Sequence, residues 1–129
     1  MFSFDAVANN YSKLLDFTGS NGSTPWGNPI EAANGKIYGL ASRGGVFDLG
    51  VLYSFDPATS IYNKLDLTGT TGTYPQGSLL QACDLKLYGM TVEGGANNKG
   101  TLFSYDPATA GFSKLFDFGS VNEIGRAHV

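Results

Sequence analysis

The chain repeats itself. Residues 17–66 align without a gap on residues 67–116, at a period of 50, and 20 of the 50 positions are identical. Thr18-Gly19, Gly22, Pro25 and Gly27 return as Thr68-Gly69, Gly72, Pro75 and Gly77. Lys36, Tyr38 and Gly39 return as Lys86, Tyr88 and Gly89, and Asp56-Pro57-Ala58-Thr59 as Asp106-Pro107-Ala108-Thr109. Gly44-Gly45 and Gly50 return as Gly94-Gly95 and Gly100, and Lys64-Leu65 as Lys114-Leu115. A period of this length marks one supersecondary unit used several times, each copy hiding its apolar surface against its neighbours. Residues 1–16 read as the back half of a preceding unit: Phe2-Ser3-Phe4-Asp5 answers Tyr53-Ser54-Phe55-Asp56, and Tyr11, Lys13 and Leu14 answer Tyr62, Lys64 and Leu65. The organisation is therefore half a unit (1–16), a first repeat (17–66), a second (67–118) and a divergent tail (119–129).

Each repeat predicts four short strands: near 28–33, 36–41, 51–55 and 62–67 in the first, with twins at 78–83, 86–91, 101–105 and 112–116. The third alternates, with Val51, Tyr53 and Phe55 on one face and Leu52 and Ser54 on the other. No helical apolar stripe of useful length occurs. Asn34-Gly35 predicts a two-residue hairpin, and its twin Asp84-Leu85 a weaker one, because leucine resists positive φ. Asp-Pro-Ala-Thr predicts a type I turn whose aspartate caps its own turn amides. Four antiparallel strands in about 50 residues is the kelch-like propeller period. The expected fold is all-β: a partial β-propeller of about two and a half four-stranded antiparallel blades. A β-sandwich is the runner-up, and it has no need of a 50-residue period.

Composition narrows the chemistry. Nine Phe, seven Tyr and one Trp, with 15% charged residues, describe an ordered chain rather than a disordered one. The net charge of −3 is scattered, which gives no electrostatic support for nucleic acid. No apolar run approaches the roughly 20 residues of a membrane span. Cys83 is the only cysteine, expected as a buried thiol in a strand, and His128, the only histidine, lies in the tail. A nucleophile with a positioned base is therefore not legible, and the glycine-rich segments lack the lysine and following helix of a phosphate loop. The expectation is a non-enzyme without catalytic residues, cofactor or metal.

The strings Gly-Lys-Ile-Tyr-Gly-Leu-Ala-Ser-Arg-Gly-Gly (35–45) and Gly-Val-Leu-Tyr-Ser-Phe (50–55), with Lys-Leu-Tyr-Gly-Met-Thr (86–91) and Gly-Thr-Leu-Phe (100–103), closely resemble the GloVer repeat. This is the Gloeobacter/Verrucomicrobium-type tandem repeat, described as propeller-like. The resemblance implies a large bacterial protein, secreted or held at the cell surface, and carries over no catalytic or cofactor residues. Leu85 in place of glycine and Ala41 in place of threonine depart from the pattern. Residues 123–129 resemble a translated sequencing adapter, so the tail is expected to be the artefactual end of a metagenomic fragment and is set aside from fold reasoning.

Positions where the repeats differ are the better candidates for ligand contact. Trp26 stands opposite Gln76, Arg43 opposite Glu93, and Asp48 within a loop whose twin holds Asn97 and Asn98. Trp26 and Tyr74, beside prolines, suit stacking on a sugar or anchoring of a partner. Asp48, Asn97 and Asn98 are candidate calcium oxygens, short of the six or more that a cage needs. The expected role is a non-catalytic scaffold module binding an unidentified protein or carbohydrate. The alternative is the propeller portion of an enzyme, such as a carbohydrate-active hydrolase, whose active site lies elsewhere. Open apolar blade edges are expected to favour self-association.

Overall fold

The computed structural model describes residues 2–5, 10–13, 16–25 and 27–119. Trp26 and the segment read as adapter-derived lie outside them. No helix occurs among the described residues. β1 (Phe2–Asp5) pairs antiparallel with β2 (Asn10–Lys13). The first repeat forms a four-stranded antiparallel sheet in chain order, β3 (Ile30–Glu31), β4 (Ile37–Ala41), β5 (Val51–Asp56) and β6 (Ile61–Asp66). The second repeats it with β7 (Leu80–Gln81), β8 (Leu87–Met90), β9 (Thr101–Asp106) and β10 (Gly111–Asp117). The arrangement is that of partial propeller blades.

Cross-strand registers explain the repeated Tyr-Gly pair. Gly39 lies opposite Tyr53, and Gly89 opposite Phe103. A Cβ on Gly39 would sit 2.5 Å from the Tyr53 ring, and one on Gly89 2.7 Å from the Phe103 ring. Only glycine lets the neighbouring aromatic lie flat across the strand.

The turns correct two expectations. Ala32 and Lys36 close the first hairpin, Gly35 N–H donates to the Ala32 carbonyl at 2.9 Å, and of the loop residues Gly35 alone takes positive φ, 82°. This is a three-residue loop with a glycine bulge rather than a two-residue turn. In the twin loop Leu85 adopts the same left-handed geometry at φ 67°. The longer loop moves Cys83 off the strand, so its thiol is exposed rather than buried. The Asp-Pro-Ala-Thr turns form as expected: the Asp56 and Asp106 carboxylates accept from Ala58 and Ala108 amides at 2.9 and 3.0 Å.

The gapless alignment fails once. Lys114 pairs with Phe103, yet Phe116 already pairs with Leu102, so Leu115 is squeezed out as a β-bulge. The structural twin of Leu65, which also pairs with Leu52 or its equivalent, is therefore Phe116. Asp66 and Asp117 match at a spacing of 51 (117 − 66): their carboxylates accept from the Val46 and Ala96 amides, each at 2.9 Å. They latch the Gly-Gly loops to the last strand.

Both faces of the first sheet are covered. Tyr38, Leu40 and Leu52 pack against Leu79, Leu87 and Phe103 of the second sheet. On the opposite face Ala41, Val51 and Tyr53 pack with Phe17 and Tyr62, and the Tyr62 hydroxyl donates to the Asn21 carbonyl. Truncating a fully buried leucine such as Leu52 costs about 2–5 kcal/mol, so the inter-sheet layer is a main source of stability.

Candidate functional site

The seam between the repeats carries a cleft at the loop end. Two isolated bridges build its walls: Ser23 with Arg43 in the first repeat, and Thr73 with Glu93 in the second. Tyr74 is drawn across the seam, its amide donating to the Leu49 carbonyl at 2.9 Å, and it takes φ 56°. A bulky residue in that region is strained and must be held there by its surroundings. The Tyr74 ring is thereby set beneath the Arg43 guanidinium, which lies 4.5 Å from its centroid. Such a stack contributes about 0.5–1 kcal/mol at an exposed site.

The cleft, about 300 Å³, is lined by Thr24, Ser42, Arg43, Tyr74, Gln76, Val92 and Glu93. Three of the sequence candidates, Arg43, Tyr74 and Glu93, thus meet in one place. Asp48 stands at its margin, with one carboxylate oxygen 3.8 Å from Arg43 and the other accepting from the Gly44 amide at 2.9 Å. Asn97 and Asn98 do not line it. Asn98 accepts from the Gly94 amide, and Asn97 donates to the Phe118 carbonyl. These side chains serve their own loops, and no metal-type cluster of acids, Cys or His exists among the described residues. Trp26 lies outside the described residues.

Thr24, Ser42, Gln76 and Val92 were not singled out by sequence, yet one signal marks them all. Thr24 is the twin of Tyr74, Ser42 of Val92, and Arg43 of Glu93, while Gln76 answers Trp26. Every residue lining the cleft occupies a position at which the two repeats differ. Two other recesses include repeated residues: Gly77, Tyr88, Gly89 and Leu102 in one, Lys36, Leu52, Ser54 and Lys64 in the other. Chemically the cleft offers guanidinium and amide donors, hydroxyls and one carboxylate around an aromatic floor. That set suits hydrogen bonding and ion pairing with a polar ligand.

Stacked four-stranded sheets, joined by an apolar layer and repeated in sequence, define the tandem-repeat β-proteins. The chain belongs to the Gloeobacter/Verrucomicrobia repeat family, whose model matches residues 1–128. No match was found among curated proteins.

Proposed function

We propose that this chain is a non-catalytic repeat module of a larger secreted or cell-surface protein, and that it presents the inter-repeat cleft to a protein or carbohydrate ligand. One observation carries this reading: the cleft between the repeats sets the Arg43 guanidinium over the Tyr74 ring and is lined only by residues that differ between repeats. Binding residues are commonly carried on loops that a rigid scaffold positions. The location at the cell exterior follows the family resemblance.

The test is binding of the purified chain to arrays of glycans and of polar peptides, repeated with Arg43→Ala and Tyr74→Ala. A ligand contacting the cleft loses about tenfold or more in affinity with either variant, the scale expected of an aromatic or arginine anchor. Ligands that bind both variants as tightly as the unaltered chain would place recognition elsewhere and defeat the proposal.

A further inference from the structure

The seam holds a second recess, at the opposite end of β4 from the cleft. Ser42 and Arg43 follow that strand, whereas Lys36 precedes it. Side chains two apart on a strand share a face, and so do cross-strand partners. Tyr38, Ser54 and Asn63 therefore form one row across β4, β5 and β6, and Leu40, Leu52 and Leu65 form the next, on the face that meets the second sheet. The Tyr105 ring of β9 packs onto this face, 6.2 Å from the Tyr38 ring. Beside it a recess of about 320 Å³ remains, with Lys36, Ser54 and Asn63 from the first sheet and Tyr105 and Pro107 from the second. Leu52 and Leu65 supply its apolar lining.

The polar groups of this recess are uncommitted. Among the described residues, the Lys36 ammonium, the Ser54 and Tyr105 hydroxyls and the Asn63 side-chain amide make no hydrogen bond or ion pair. The Lys64 ammonium, by contrast, is held by the Asp66 carboxylate at 2.6 and 2.7 Å, and Asp56 and Asp106 are taken up by their own turn amides. No carboxylate is among the described residues that line the recess. An anion entering it meets one open cation and no like charge, on a chain whose net charge is −3. Burial raises the Tyr105 phenol above its ordinary value, which keeps it a hydrogen-bond donor at neutral pH.

We infer that this recess is a binding site for a small sugar acid, a hydroxylated ring that bears one carboxylate. The Lys36 ammonium pairs with the carboxylate. Ser54, Asn63 and Tyr105 exchange hydrogen bonds with the ring hydroxyls, the Asn63 amide both donating and accepting. Leu52, Leu65 and the Tyr105 ring take the apolar C–H face of the sugar, as the apolar lining of a small-molecule site does. A neutral sugar leaves the ammonium unpaired, and a bare anion leaves the hydroxyls and leucines unused. The site shares no residue with the Arg43–Tyr74 cleft, so either can fail without the other.

The test titrates the isotopically labelled 129-residue chain with glucuronate, glucose and inorganic phosphate at millimolar concentration, following backbone amide shifts by NMR. Glucuronate is expected to move the Ser54, Asn63 and Tyr105 amides, and to bind about tenfold or more tightly than either glucose or phosphate. Lys36→Met, which keeps most of the stem and removes the charge, is expected to cost about tenfold in glucuronate affinity, and Lys36→Arg to retain it. Asn63→Ala, at an exposed position, is expected to weaken glucuronate as well, while Arg43→Ala leaves it unchanged. Glucose binding as tightly as glucuronate would overturn the inference by removing the role of the charge. Phosphate binding as tightly would do so by removing the role of the ring. Shifts confined to Arg43, Tyr74 and Glu93, or none at all, would show that the recess takes no sugar acid.

Discussion

The hydroxyls of Thr91 and Thr101 lie 3.1 Å apart inside the second repeat, at the positions that Ala41 and Val51 fill in the first. Both pairs are buried. The threonines form a closed network, with Thr101 Oγ1 donating to the Thr71 carbonyl at 2.8 Å and Thr91 Oγ1 accepting from the Thr101 amide at 2.9 Å. The two repeats thus fill one site with different chemistries, one apolar and one hydrogen-bonded.

Because the threonines act together, their substitutions should not add. Thr101→Val strips the Thr71 carbonyl of a donor and is expected to cost about 1–3 kcal/mol, the range for an orphaned buried polar group. Thr91→Ala with Thr101→Val recreates the apolar pair of the first repeat and is expected to cost less than the sum of the single changes. Urea unfolding of the three variants checks this; strict additivity would show the network to be uncoupled.

Gly39→Ala places a methyl group into the Tyr53 ring. The strain of such overpacking is expected to cost about 1–3 kcal/mol in urea unfolding. Tyr53→Leu should recover part of the loss in the double variant, because the ring is what the methyl meets. A Gly39→Ala chain as stable as the original would remove the close approach as the reason for the Tyr-Gly pair.

Leu85 holds the left-handed conformation that Gly35 takes in the twin loop, and its side chain is 58% exposed. That conformation costs an L-residue about 1–2 kcal/mol. Leu85→Gly is expected to gain up to about 1 kcal/mol after the greater entropy of glycine in the unfolded chain is offset. The mirror change, Gly35→Leu, should destabilise through backbone strain alone, since nothing lies within 4 Å of a Cβ there. Thermal melting of the pair gives the two signs.

The aspartate latches predict an acid limb. Burial works to raise the Asp66 carboxyl, but the Lys64 ammonium and the Val46 amide outweigh it and hold it below the ordinary range. The Ala96 amide, followed by Lys114, does the same for Asp117. With folded values lowered, their contribution is full above the ordinary carboxylate range near pH 4 and lost as pH falls through the lower folded values. Urea midpoints should therefore drop below about pH 4, and Asp66→Asn with Asp117→Asn should flatten that drop. An unchanged acid limb would show that other carboxylates set it.

Strand positions were legible because the pattern was stated twice: Val51-Tyr53-Phe55 alternates, and its twin stands 50 residues on. The bulge was not, because Leu115 matches Leu65 in identity and so conceals the extra residue that displaces Phe116 into its place. Cys83 was misplaced because Asn34-Gly35 suggests a shorter loop than the one that forms. At the cleft, the rule that differing positions matter led to Arg43, Tyr74 and Glu93. The stacking of Arg43 on Tyr74 was not legible, since it joins residues 31 positions apart (74 − 43) and depends on how one sheet sits on the next.

The bulge at Leu115 bears on how such chains grow. Counted from aspartate to aspartate, the spacings are 50 (66 − 16) and 51 (117 − 66), yet both latches close at the same length. A surplus residue is shed sideways from β10, at the margin of its sheet, where bulges are best tolerated. Duplicated units that have drifted by one residue therefore remain interchangeable parts, and a lengthening array need not keep an exact count.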